Sequence, residues 1–152
     1  MTIAVEVETQ IRRQPADVFA ELIAVERFPQ WLIASGIVAV ERIDAGALAV
    51  GSQLRISQSV GGRSTTLEGA ITVLEPASAF GLRGRDADGV TIELHAQLSL
   101  DDSVKTRLRW SLQMSLPLRY RMFESMVAPQ AKRAAILDVE AFKRRLESGA
   151  GR

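Results

Sequence analysis

The chain has no cysteine, one histidine and one tyrosine in 152 residues. Without cysteine there is no disulfide, no thiolate nucleophile and no Cys-based zinc or iron-sulfur site, and a reducing compartment fits that usage. The lone histidine, His95, excludes a multi-histidine metal site within one chain. Charge of one sign is missing too. Nineteen Lys and Arg stand against eighteen Asp and Glu, so no overall field draws in a polyanion, and nucleic acid is not expected as a partner. Long hydrophobic runs are absent: the longest, WLIASGIVAV at 31–40, falls well short of the ~18 residues that a membrane span needs. The opening MTIAVEVETQIRR lacks the apolar stretch of a signal peptide. A cytoplasmic protein without a cofactor is expected, and the oligomeric state is open.

What is present is the composition of an ordinary globular protein, 47% hydrophobic and 24% charged, long enough to bury roughly two-thirds of its unfolded surface. One domain over residues 1–147 is expected, with a short frayed tail, SGAGR, at 148–152. No internal repeat or linker divides it.

Ile3, Val5, Val7, Thr9 and Ile11 alternate with Ala4, Glu6, Glu8 and Gln10, the period-2 pattern of a strand with one buried and one wet face. Pro15 then suits a first helical position, Asp17 favours the helix dipole, and Val18, Phe19, Leu22 and Ile23 form an apolar stripe. A second short helix is expected to begin near Pro29 and to carry Trp31 and Leu32. From Ile37 to Met114 apolar stretches are punctuated by Asp44-Ala-Gly46, Gly61-Gly62, Glu75-Pro76-Ala-Ser78, Asp88-Gly89 and Asp101-Asp-Ser103, which gives a six-strand meander. Ile92, Leu94, Ala96, Leu98 and Leu100 share one face, as do Leu108, Trp110, Leu112 and Met114. Glu6 and Glu8 need partners that Arg107 and Arg109 supply, at ~0.2–1 kcal/mol per cross-strand pair. That places the first strand beside the last and bends the sheet round. The second strand is apolar on both faces, and a bulge there leaves its facing undecided.

Between Leu118 and Leu146 a broad apolar side (Tyr120, Met122, Phe123, Met126, Val127, Ala134, Leu137, Ala141, Phe142, Leu146) opposes a polar one that includes Arg119, Arg121, Lys132, Arg133, Asp138 and Lys143 to Arg145. This is one long amphipathic helix. Pro129 falls inside it, where a proline costs ~3 kcal/mol unless the helix bends or restarts, so a bend is expected there. Met-rich and aromatic residues before Pro129 suit the mouth of an irregular space.

Strand, two short helices, six-strand meander and terminal helix is the order of the α+β helix-grip fold, a curved seven-stranded antiparallel sheet around a long C-terminal helix. The segments VEVETQIRRQPADVFAELIAVERFPQWL, GSQLRI, LEGAITVLEPASAFGLRG, TRLRWSLQM and VEAFKRRLE carry a resemblance over nearly the whole chain. It resembles the START-like, Bet v 1-like superfamily of polyketide cyclase/dehydrase and lipid-transport proteins, which also takes in pollen-allergen-like proteins and proteins like one component of carbon monoxide dehydrogenase. The resemblance implies a deep hydrophobic cavity between sheet and helix that holds an apolar small molecule such as a lipid or polyketide. Parity then lines it with Leu54, Ile56, Phe80, Leu82, Ile92, Leu94, Trp110, Leu112, Met122 and Met126, with Trp31 near the entrance and Tyr120 at the rim or donating a hydrogen bond inward.

Chemistry of this fold would need a proton-transfer group facing the cavity. His95 alternates with Leu94 and Ala96 and so points outward; Glu41 and Glu68 depend on an undecided facing; no catalytic residue or acid pair stands out. Three readings are open: a carrier or sensor of an apolar small molecule, a cyclase or dehydratase, and an accessory or assembly protein of a cofactor enzyme. The basic residues of the last helix also leave room for weak contact with an anionic lipid surface.

Overall fold

The computed structural model describes residues 2–102 and 104–149. Strand β1 (Thr2–Ile11) leads into helix α1 (Pro15–Leu22) and a 3-10 helix, Val25–Gln30. Six strands follow, β2 (Ile37–Arg42), β3 (Gln53–Val60), β4 (Arg63–Glu75), β5 (Ala79–Arg85), β6 (Thr91–Asp102) and β7 (Lys105–Ser115). A second 3-10 helix, Leu118–Phe123, runs directly into helix α2 (Glu124–Glu147). This is the helix-grip fold. Of the tail expected to fray, residues from 150 onward lie outside those described; Ser148 and Gly149 close α2 through N–H bonds back to Arg144 and Leu146.

The seven strands form one antiparallel sheet in the order β1-β7-β6-β5-β4-β3-β2. β1 lies beside β7 with Val7 opposite Trp110 and Glu8 opposite Arg109. The charges that pointed to this pairing meet: Arg109 reaches Glu6 at 3.4 Å and Glu8 at 3.6 Å, and Arg107 reaches Glu8 at 3.4 Å. Period 2 puts Ile3, Val5 and Ile11 of β1 and Leu108 and Trp110 of β7 inside. Gly61 and Gly62, both at positive φ, turn β3 into β4.

The bulge anticipated in β2 falls between Ile37 and Ala39. It turns Ile37 and Val40 toward the core and sends Glu41 outward, 68% exposed at its side chain and 4.0 Å from Arg55. Another irregularity falls between Leu100 and Asp102, and at that end of β6 Leu100 is exposed although Leu98 is buried.

Pro15 takes the first position of α1 as expected, but the second short helix begins at Val25, with Pro29 inside it and Trp31 at its C-cap. Pro129 lies inside α2, which runs through it without interruption. The change of helical type comes earlier, at Phe123 and Glu124. The face that α2 buries is Ala135, Asp138, Val139, Phe142 and Leu146. Asp138, placed on the polar side by periodicity, is inside, while Leu137 is exposed.

Candidate functional site

The face of the sheet that covers α2 does not close on it everywhere. Between them lies a cavity of about 280 Å³, near the lower end of the ~300–1,000 Å³ of small-molecule sites. Ile56 of β3, Leu67 of β4, Leu82 of β5, Ile92 and Leu94 of β6, and Trp110, Leu112 and Met114 of β7 form its sheet side. Val127, Gln130, Ala131, Ala134 and Ala135 form the helix side, and Phe28, Leu32, Ala34, Ser35 and Ile37 close one flank. Alanines on α2 keep this part of the helix surface low, which leaves the space open. In the sheet behind the lining, Gly69 and Gly84 are register partners. A Cβ at Gly69 would stand 3.1 Å from the Arg83 carbonyl oxygen and 3.6 Å from Ile56 Cδ1, and one at Gly84 3.5 Å from Leu67 Cβ.

The cavity opens where the exposed Val60 and Gln130 stand on either side. A surface groove continues from there, sharing Gln58, Val60 and Val127 with the cavity and adding Tyr120, Phe123, Arg63, Asp86 and Asp88. Its charges are held internally. Arg63 Nη2 meets Asp88 Oδ2 at 2.7 Å, Arg119 donates to the Asp88 carbonyl at 2.6 Å, and Asp86 accepts the N–H groups of Asp88 and Val90 at 2.9 Å.

Of the residues expected around a ligand, Ile56, Leu82, Ile92, Leu94, Trp110 and Leu112 line the cavity together. Leu54 and Phe80 are wholly buried in the core and do not line it. Trp31, expected near the entrance, is 1% exposed at the centre of an aromatic cluster, with ring centroids 4.5 Å from Phe142, 5.5 Å from Phe28 and 5.6 Å from Trp110. Tyr120 lines the groove beyond the mouth, under the Arg119 guanidinium at 4.9 Å. Met122 and Met126 stand outside, 77% and 63% exposed. The apolar side of the terminal helix is broader than the face that the sheet covers, and these methionines, with Leu118 and Leu137, occupy its uncovered margin. Sequence reasoning passed over Gln58 and Leu67, although each follows by parity, from Ile56 and from Ile71. It also passed over the 33–36 loop, for which there was no periodic signal.

That loop is held by a buried acid. Asp138 of α2 is 1% exposed and accepts the Ala34 N–H at 2.8 Å, the Ser35 N–H at 3.1 Å and the Ser35 hydroxyl at 2.5 Å. Burial pushes its carboxyl above the usual range, outweighing the Ser35 hydroxyl and the two backbone N–H groups that pull it down. The Ser35 carbonyl in turn accepts Gln58 Nε2 at 2.8 Å. Asp138 is thus tied up in structure, as is Glu21, which is buried between Arg27 at 3.0 Å and Arg145 at 2.8 Å. His95 sits on the other side of β6 from Leu94 and Ala96, opposite Gly81 and Ser111, and Glu68 is exposed beside Arg55 at 3.2 Å. Among the described residues lining the cavity, the polar side chains are Ser35, Gln58 and Gln130, and none is ionisable.

No protein-family model matches the sequence, and no curated protein matches it. Solved structures do match the fold. The Zhui aromatase/cyclase of Streptomyces sp. R1128 aligns over 100% of both chains with a TM-score of 0.78 and 16% identity. A START superfamily protein of Mycobacterium smegmatis aligns over 95% of this chain and 94% of its own, TM-score 0.71 and 16% identity. A protein of unknown function from Staphylococcus aureus aligns over 100% and 98%, TM-score 0.77 and 13% identity. The chain therefore has the START-like, Bet v 1-like fold.

Proposed function

We propose that this protein binds a small apolar molecule in the cavity between its sheet and α2, as a carrier or sensor. The observation that carries the reading is a space of about 280 Å³ walled by aliphatic and aromatic side chains, with its few polar groups uncharged. Such a site gains affinity from burial, at roughly 25 cal/mol per Å² of apolar surface removed from water. A cyclase or dehydratase would need an acid or base within ~3 Å of the reacting atoms, and the cavity lining supplies none. The fold of the aromatase/cyclase is shared, but chemistry resides in side chains.

The test is binding of the neutral fluorophore N-phenyl-1-naphthylamine, read by its emission and by quenching of Trp110. The wild type is expected to bind it saturably. Ala134→Phe, which fills the cavity from the helix side, is expected to abolish binding while the protein still melts cooperatively. Equal binding by both proteins would place the probe elsewhere and defeat the proposal.

A second reading, an accessory protein that docks on a partner, draws on the exposed Leu118, Met122, Met126 and Phe123, since contiguous apolar surface tends to mark an interaction site. Native mass spectrometry of protein purified from its own host separates the two. A retained apolar small molecule supports the carrier; a retained protein over an empty cavity supports the accessory role.

A further inference from the structure

Gln58 is a lining residue whose hydrogen-bonding direction is set by its surroundings. It lies on β3 two positions beyond Ile56, on the same inward row, and borders both the cavity and the groove at its mouth. Its Nε2 donates to the Ser35 carbonyl at 2.8 Å. Ser35 cannot turn to meet it differently, because its N–H and hydroxyl are both held by Asp138. The amide of Gln58 is therefore oriented with Nε2 toward Ser35, one N–H of its two engaged there, and Oε1 has no partner among the described residues; that oxygen accepts hydrogen bonds and does not donate them.

From this we infer that the guest is a neutral amphiphile whose polar end is a hydrogen-bond donor, a hydroxyl or an N–H, seated against Gln58 Oε1 at the mouth with its apolar body among Leu67, Leu82, Leu94 and Trp110. The inference rests on the cavity being the binding site and adds the chemical class of the guest. An ether or ester end offers no proton to Gln58 Oε1 and meets the amide only through its second Nε2 N–H, beside the bond to Ser35. A carboxylate end has no unpaired cation to meet: Arg63 and Arg119 are already engaged by Asp88, and the Asp138 carboxyl lies directly behind Ser35. An ammonium end would be a donor, but it would give up its water where the nearby carboxylates are already engaged, Asp88 by Arg63 and Arg119, Asp86 by backbone N–H groups and Asp138 by Ala34 and Ser35.

The test is displacement of N-phenyl-1-naphthylamine from the wild-type protein by decan-1-ol, by its isomer methyl nonyl ether, by decanoate and by decylammonium. The two isomers have the same heavy-atom count and differ in the donor. Decan-1-ol is expected to displace the probe at about ten-fold lower concentration than the ether, the effect of one hydrogen bond, and to outcompete both ions. Gln58→Met keeps the length and apolar character of the side chain but removes the acceptor. Whatever its own affinity for the probe, it is expected to show the two isomers within about two-fold of each other, as they differ only in that bond. Isomers that are indistinguishable on the wild type would overturn the inference, and this comparison needs no variant to fold. Decanoate binding as tightly as the alcohol would also overturn it, as would an undiminished preference for the alcohol in Gln58→Met. Failure of the wild type to bind the probe at all would bring down the cavity reading itself, a result distinct from binding without discrimination.

Discussion

Two residues hold the walls of the cavity in place by opposite means. Trp110 is 3% exposed and touches Trp31 edge to face, so it contributes by contact area. Trp110→Ala is expected to lower unfolding free energy by about 3–5 kcal/mol, measured by urea titration; a loss well under 1 would mean that the ring is not packed as described. Asp138 contributes by hydrogen bonds. Removing its three acceptor contacts in Asp138→Ala is expected to cost about 1–3 kcal/mol. Its ionisation runs the other way. The folded carboxyl has a raised affinity for its proton because burial disfavours the charged form. That contribution to stability is therefore full below the unfolded value of ~3.9 and is lost as pH rises through the higher folded value. Thermal melts over a pH series should show the margin of wild type over Asp138→Asn shrinking as pH rises through that range, and a margin that does not change with pH would contradict it. Parity brought Trp110 and its neighbours on β6 and β7 into view from sequence alone. It misplaced Asp138, because the donors that make its burial tolerable come from backbone some hundred residues away.

At the scale of elements, strand boundaries were legible because turns carry local chemistry. Gly-Gly at 61–62 and the glycine of Asp-Gly at 88–89 adopt the positive φ that such residues permit. Gly36 belongs with them. Its φ is +76°, and a Cβ there would lie 2.2 Å from the Ser59 carbonyl oxygen, so Gly36→Ala is expected to destabilise by more than about 1 kcal/mol, measured by chemical denaturation. The terminal helix was legible only in part. One α-helical period was applied over residues that fold as a 3-10 turn followed by an α-helix, at 3.0 and 3.6 residues per turn, and the covered face of α2 is narrower than its apolar side. Pro129 sits inside α2 and, lacking an N–H, cannot donate to Ser125. Pro129→Ala should raise the melting temperature, by an amount equivalent to at most ~3 kcal/mol. A drop would show that the ring's push on the preceding turn is needed for the course of the helix.

For the molecule as a whole, the topology was written in a few charges. Glu6, Glu8, Arg107 and Arg109 announced that the first and last strands are neighbours, and they are. Their side chains are 42% to 61% exposed, so their value lies in choosing the register more than in strength. Raising salt to about 1 M is expected to change unfolding free energy by less than about 1 kcal/mol, and a larger loss would assign them a bigger share. The volume between sheet and helix was not legible in the same way, since it depends on which inward positions are left small on elements far apart in the chain.

Among those positions, Gly69 and Gly84 face each other across two strands and carry no side chain at all. Neither lines the cavity, but each lies beside a residue that does, Gly69 by Ile56 and Gly84 by Leu67. One methyl group added at Gly84, where ordinary contacts of 3.5 to 3.9 Å await it, mostly on Leu67, would reach the container only through that side chain and leave its chemistry as it was.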